Sequence, residues 1–188
     1  MEILCCPESD VPLDLRLQVA ALQHDVWPSD ERPQPGPRHD PALRPLSMLL
    51  VDDRRVLAAL DILSKEIVHR GRRYAASGLS TVVTDRVERG KGYGRRLVEA
   101  ARYDIGASGA DLGIFTCDRP LRRFYERAGW QALAGAVLIG GTPEAPLPSD
   151  RFDKVVMACF FTVAPDDTAR SFTGCRIALY PGQIDRLW

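Results

Sequence analysis

One turn constrains this chain more than any other feature. Residues 76–94 read ASGLSTVVTDRVERGKGYG, a β-rich run followed by Arg89-Gly90-Lys91-Gly92-Tyr93-Gly94 and then a helical pattern. A strand that passes through alternating glycines into a helix exposes successive backbone N–H groups at the positive end of the helix dipole, a geometry suited to phosphate or pyrophosphate. Gly92 and Gly94 lack the Cβ that would hold an anion away from the main chain or force an unfavourable φ. Arg89 and Lys91 are expected to add mobile positive charge. The spacing is neither that of a Walker A loop, which needs Lys-Ser/Thr where this chain has Arg95-Arg96, nor the Gly-x-Gly-x-x-Gly of a dinucleotide site.

A second segment, residues 111–130, reads DLGIFTCDRPLRRFYERAGW. Leu112 to Thr116 suits a buried strand. Asp118 is placed to cap a helix, Pro120 suits its first turn, and Leu121, Phe124, Tyr125 and Ala128 recur at helical spacing. Gly129 is expected to end the helix as a left-handed cap, with Trp130 starting the next strand. Read alone, Tyr125 is a core tyrosine.

The bounds are those of one domain. A chain of 188 residues with 45% hydrophobic and 27% charged residues can bury a substantial core. Twenty-five basic residues balance twenty-five acidic ones, so no global field favours nucleic acid or an anionic membrane. No run approaches the roughly 20 apolar residues of a membrane span, and MEILCCPESD lacks the basic-then-apolar order of a secretory signal. Five cysteines without a Cys-x-x-Cys, and His24, His39 and His69 scattered singly, support neither a disulfide framework nor a metal site. The reading is a reduced, cytoplasmic protein in which one of Cys5 and Cys6 is exposed. Cys117, near a strand end, reads as a small packing residue in preference to a nucleophile.

Along the chain the expected order is a strand at Glu2–Cys6, then a helix opening at Asp10-Val11-Pro12 with Leu13, Leu17, Ala20 or Ala21, and His24 on its core stripe. Residues 28–45, with six prolines, read as a loop, either functional or a disordered linker. A hairpin follows across Asp52-Asp53, between Leu46–Val51 and Val56–Leu63, and the meander continues through Ile67–His69 to a turn at Arg70-Gly71. Leu97, Ala101 and Ile105 form the stripe of the helix after Gly94. Val137–Ile139 and Val155–Thr162 read as strands around a loop at 140–154, and the tail 163–188 as mostly irregular. This order predicts a single α+β domain over 1–188.

The loop Arg-x-x-Gly-x-Gly and the segment ending Phe124-Tyr125-x-x-x-Gly129-Trp130 together resemble the two cofactor motifs of the GNAT N-acetyltransferases. The resemblance implies a mixed, mostly antiparallel central sheet splayed in the middle, with acetyl-CoA as acyl donor. It places Val82, Val83 and Thr84 beside the pantetheine and Arg89, Gly90, Lys91, Gly92, Tyr93 and Gly94 around the pyrophosphate. It makes Tyr125 the acid that protonates the departing thiolate. From about Leu46 onward the chain is similar to aminoglycoside 2'-N-acetyltransferases, which implies antibiotic resistance as a role. That likeness assigns the terminal carboxylate of Trp188 to the neighbourhood of the acceptor amine, and Asp150, Asp153 and Asp185 to binding a cationic substrate. Where that family has a basic glutamate before the loop, this chain has Ser80, so the base falls to Trp188, to one of those aspartates, or to solvent acting on a neutral amine. The implied partner is a small-molecule amine, with no nucleic acid and no membrane, and a homodimer is compatible. Two other readings stay open, a non-catalytic acyl-CoA-binding module and a protein or peptide N-acetyltransferase.

Overall fold

The structure, a computed structural model, describes residues 1–28, 36–162, 164–180 and 182. Strand β1 (Glu2–Pro7) leads into helix α1 (Leu13–Val26). A meander follows: β2 (Leu46–Asp52), β3 (Arg55–His69) and β4 (Arg72–Thr84). Helix α2 (Tyr93–Ala107) opens directly on the glycine turn, then come β5 (Leu112–Asp118), the short α3 (Arg122–Arg127) and β6 (Gln131–Ala132). The chain continues through β7 (Val137–Gly141), β8 (Pro146–Pro148), β9 (Lys154–Phe160), α4 (Pro165–Phe172) and β10 (Arg176–Ala178).

Seven strands form one sheet in the order β1-β2-β3-β4-β5-β9-β6, and β10-β7-β8 form a second, small sheet. The hairpin turn is one residue later than the sequence places it: Asp52 pairs with Arg55, and Asp53 and Arg54 take positive φ of 45° and 63°. This is the twist that two-residue hairpins favour. β3 is one continuous strand up to the expected turn at Arg70-Gly71.

Among the described residues, the only parallel contact in the large sheet is β4 with β5, and it is brief. Ala76 pairs with Leu112 and Ser77 with Gly113, and no ladder pair joins the two strands beyond that point. Outward of it, β4 stays paired with β3 as far as Thr84, and β5 with β9 as far as Asp118. The sheet therefore opens in its middle into the expected wedge. Gly113 sits at the closed end because a Cβ there would lie 2.6 Å from the buried indole of Trp130, which packs edge-on against Phe115.

The helices divide the two faces of the sheet. Leu97, Val98, Ala101 and Ile105 of α2 are buried with Met48, Leu50, Leu60 and Ile62. On the other face, α1 covers Leu49, Val51, Val56, Ala59 and Val83. The core stripe of α1 differs from the expected one: Leu13 and Leu17 are 61% and 48% exposed, while Leu15 is buried and Val19, Leu22 and Val26 pack around it. The sequence LDLRLQVAALQHDV carries two apolar stripes, and the sheet selects one of them. The described part of the tail carries α4 and β10, where the sequence reads as mostly irregular. α4 is pinned by Phe172, which is fully buried, stacks on His69 at 4.1 Å and meets Tyr74 edge-on at 5.2 Å.

Candidate active site

The wedge leads to the glycine turn. Gly92 precedes α2 with φ 87° and ψ 0°, a left-handed conformation that side chains with a Cβ resist. No side chain caps this helix, so the first N–H groups of α2 face outward without a protein partner from a cap. Gly90 also has a positive φ, and nothing lies within 4 Å of where a Cβ at either residue would sit. Gly94 has a different role: a Cβ there would lie 2.6 Å from the Thr84 hydroxyl, so the missing side chain lets α2 close onto β4. An uncapped helix start, open space above it and glycines in left-handed conformations fit a diphosphate.

The basic residues of the turn behave differently from one another. Lys91 is not the mobile charge the sequence suggests: its Nζ donates to Glu88 at 2.8 Å, and Glu88 is also bridged by Arg55 at 3.3 Å. Arg89 is exposed and donates through Nε to the Thr84 carbonyl at 3.3 Å. Arg89 is therefore the cation of the turn better placed to turn toward an anion.

Tyr125 lies in α3 with its ring edge-on to Phe115 of β5 at 4.9 Å, and it is buried. Burial, with the neighbouring Cys117 and Asp118, pushes its phenol above the ordinary range, so it holds its proton at neutral pH. The Cys117 thiol is pushed up to about 11, chiefly by burial, and such a thiol is a poor nucleophile at neutral pH. The surroundings of α3 differ from expectation in two ways. Asp118 makes no side-chain cap and instead accepts from Lys154 at 2.5 Å, and Leu121 is 45% exposed. Gly129 ends the helix with φ 86°, as expected.

Ser80, Val82, Val83 and Thr84 all lie on β4, and between them the strand is irregular. Ala59 pairs with Val83 but Asp61 pairs with Ser80, so Leu60 alone opposes Thr81 and Val82. This is a β-bulge, and Thr81 takes a φ of 50° in it, a conformation that costs a β-branched residue of the order of 1–3 kcal/mol. The bulge lies on the stretch of β4 that borders the wedge, and Val82 is half-buried there.

Sequence reasoning missed what sits across from Ser80. Asp61 is the only charged residue between Val56 and Ser64, and that isolation in an apolar strand was the available signal. Its carboxylate is buried. Oδ1 accepts from the Ser47 hydroxyl at 2.5 Å, and Oδ2 accepts from the Thr81 hydroxyl at 2.6 Å and faces His39 Nε2 at 3.3 Å. His39, read in sequence as one of three scattered histidines, is buried against it. Glu8 fastens the segment that carries the histidine, accepting from the backbone N–H of Arg38 at 2.6 Å and of His39 at 3.2 Å. A cavity of about 30 Å³ adjoins, lined by Asp61, Ser47, Glu8, Arg38, Gln23 and Arg16 among others.

Asp150 and Asp153 lie apart from this cluster, on the loop before β9. Both are exposed and paired, Asp150 with Arg176 at 3.2 Å and Asp153 with Arg119 at 2.7 Å. Asp185 and Trp188 lie outside the described residues.

The acetyltransferase (GNAT) domain family matches residues 12–133. No curated protein matches the chain in sequence. Solved structures of the same fold include an acyl-CoA N-acyltransferase from Pseudomonas aeruginosa, 19% identical over 84% of this chain and 97% of that one, with a TM-score of 0.58. An aminoglycoside 6'-N-acetyltransferase complexed with coenzyme A is 12% identical over 87% of this chain and 99% of that one, with a TM-score of 0.60. Glucosamine-6-phosphate N-acetyltransferase from Arabidopsis thaliana is 17% identical over 69% and 91%, with a TM-score of 0.54. The family match spans well over half of the sequence, and the chain therefore belongs to the GNAT acetyltransferases, N-acetyltransferases that take their acetyl group from acetyl-CoA.

Proposed function

We propose that this enzyme acetylates a primary amine of a small, cationic molecule. The observation that carries the reading is the wedge between β4 and β5, which reaches from the bulge to an uncapped helix start. In this reading Arg89, Gly90, Lys91, Gly92, Tyr93 and Gly94 surround the diphosphate, and the open inner edge of Val82, Val83 and Thr84 pairs with the pantetheine. A backbone N–H at Val82 or a neighbour polarises the thioester carbonyl. Tyr125 supplies the proton that the thiolate gains on leaving.

The acceptor is placed on the α1 face, where the buried carboxylates Asp61 and Glu8 lie. An aminoglycoside is the finer reading. It draws on fold neighbours named as aminoglycoside 6'-N-acetyltransferases, while the choice of the 2' amine rests on sequence resemblance alone. Asp150 and Asp153 would have to exchange their arginine partners for the substrate's ammonium groups, a modest cost for exposed pairs. Trp188 and Asp185 keep their proposed places near the acceptor on the strength of the resemblance.

Thiol release from acetyl-CoA across a panel of aminoglycosides, polyamines, amino sugars and peptides tests the proposal. Turnover with small amines is expected. Turnover with peptides alone would make the enzyme a protein acetyltransferase, and coenzyme A binding without turnover on any amine would make it a binding module.

A further inference from the structure

Ser80 leaves the bulge without a carboxylate of its own on β4. The geometry points to Asp61 of β3 as the proton acceptor of the transfer, with Ser47, Thr81 and His39 as its positioning residues. This inference rests on the amine-transfer reading above.

Three observations carry it. The first is position. Asp61 is the ladder partner of Ser80 and bonds the hydroxyl of Thr81 at 2.6 Å, so it is tied to the strained residue of the bulge, next to Val82. The second is burial. A carboxylate inside an apolar strand is costly to desolvate, and an aliphatic side chain would pack there without that cost. Here two hydroxyls donate to the carboxylate and the imidazole faces it, so its oxygens are held in a fixed orientation at the bulge instead of merely filling space. The third is access. The adjoining cavity, about 30 Å³, is lined by apolar residues together with Glu8, Gln23, Arg38, Ser47 and Asp61, which gives it the size and the polar partners that a bridging water needs. Asp61 lines it and can pass a proton to and from such a water.

The step balances. The acceptor ammonium loses a proton through water to Asp61, and the neutral nitrogen bonds the thioester carbon. The carbonyl electron pair moves to oxygen and returns as the carbon–sulfur bond breaks with its electron pair on sulfur, and the newly bonded nitrogen gives its second surplus proton to solvent. The thiolate takes the Tyr125 proton, and solvent removes the proton from Asp61 and restores that of Tyr125. Among the described residues, the charged and titratable groups around Asp61 are His39, Arg38 and Glu8 from the segments over it, Arg16 from α1, and Lys65, four residues further along the same face of β3.

The test uses the full chain. Thiol release is measured with the best amine of the panel, and without amine, where water is the acceptor and the pH profile is free of the ammonium's own titration. Asp61→Asn should lower kcat/KM for the amine by about 100-fold or more at neutral pH, leave coenzyme A affinity unchanged, and abolish the acidic limb of the hydrolysis profile. Ser47→Ala removes one donor to the carboxylate, so the limb should move to higher pH. An Asp61→Asn enzyme with the parent rate and limb overturns the inference. So does a Ser47→Ala limb that stays in place, which carries the decision by itself if Asp61→Asn does not fold. A parent enzyme that hydrolyses acetyl-CoA but acetylates no amine overturns the amine-transfer reading, while the hydrolysis profiles still decide the role of Asp61.

Discussion

A phenol can protonate a thiolate only while it still carries its own proton, and the surroundings of Tyr125 secure that condition. Burial lifts its pKa, and Cys117 and Asp118 lift it further, so the hydroxyl stays intact across the physiological range. In the role proposed for it, Tyr125→Phe should lower kcat by about 100-fold or more, with coenzyme A affinity unchanged by calorimetry. Unchanged turnover would remove Tyr125 from the acid role. The same burial makes the fold sensitive to alkali. Cys117 has an ordinary value of 9.0 and is held at about 11 in the folded protein, so above about pH 9 the native state binds more protons than the unfolded chain. Stability then falls as pH rises, which is the sign linkage requires, and this contribution is spent by about pH 11. Urea midpoints should therefore drop between these limits, and less steeply in Cys117→Ala, where only Tyr125 and weaker groups remain to titrate.

At the scale of elements, α2 has to begin where it does. Gly92 at φ 87° turns the chain so that the helix start faces open space, and a β-branched side chain there costs about 1–2 kcal/mol in backbone conformation alone. Gly92→Val should weaken coenzyme A by roughly tenfold or more, a loss of about 1.4 kcal/mol, because the new side chain strains the turn and stands over the N–H groups at once. Titration calorimetry reads this directly, and a parent-like affinity would contradict the assignment of the turn. This element was legible in the sequence because everything that defines it lies within six residues. The cluster at Asp61 was not, because His39, Ser47, Asp61 and Thr81 are brought together only by pairing of β2, β3 and β4 and by the segment laid over them. α1 was legible as a helix but not in its orientation, since two of its faces are apolar. α4 was missed because PDDTARSF buries only Thr168 and Phe172, so its stability comes from contacts distant in sequence.

On the scale of the whole molecule, the sheet separates two tasks by face. Residues 61, 65 and 69 of β3 share one face by strand alternation, and α1 and the tail pack over it. The Lys65 ammonium reaches the Leu179 carbonyl just beyond β10, and burial lowers its pKa. Farther along, Phe172 fills the space between His69, Tyr74 and Phe160 and locks α4 in place. The glycine turn and α2 belong to the opposite face. If this separation governs function, loosening the tail should destabilise the fold without touching the nucleotide site. Phe172→Ala removes a fully buried ring and should cost about 3–5 kcal/mol, which for a domain of this size lowers the melting temperature by roughly 6–20 °C. Coenzyme A affinity, measured well below the new melting point, should stay within about twofold of the parent, because the ring partners of Phe172 are His69, Tyr74 and Phe160 and none of them is among the residues proposed for the diphosphate. A parallel loss of affinity would mean that the two faces are coupled through the sheet, and that the tail helps to hold the wedge open.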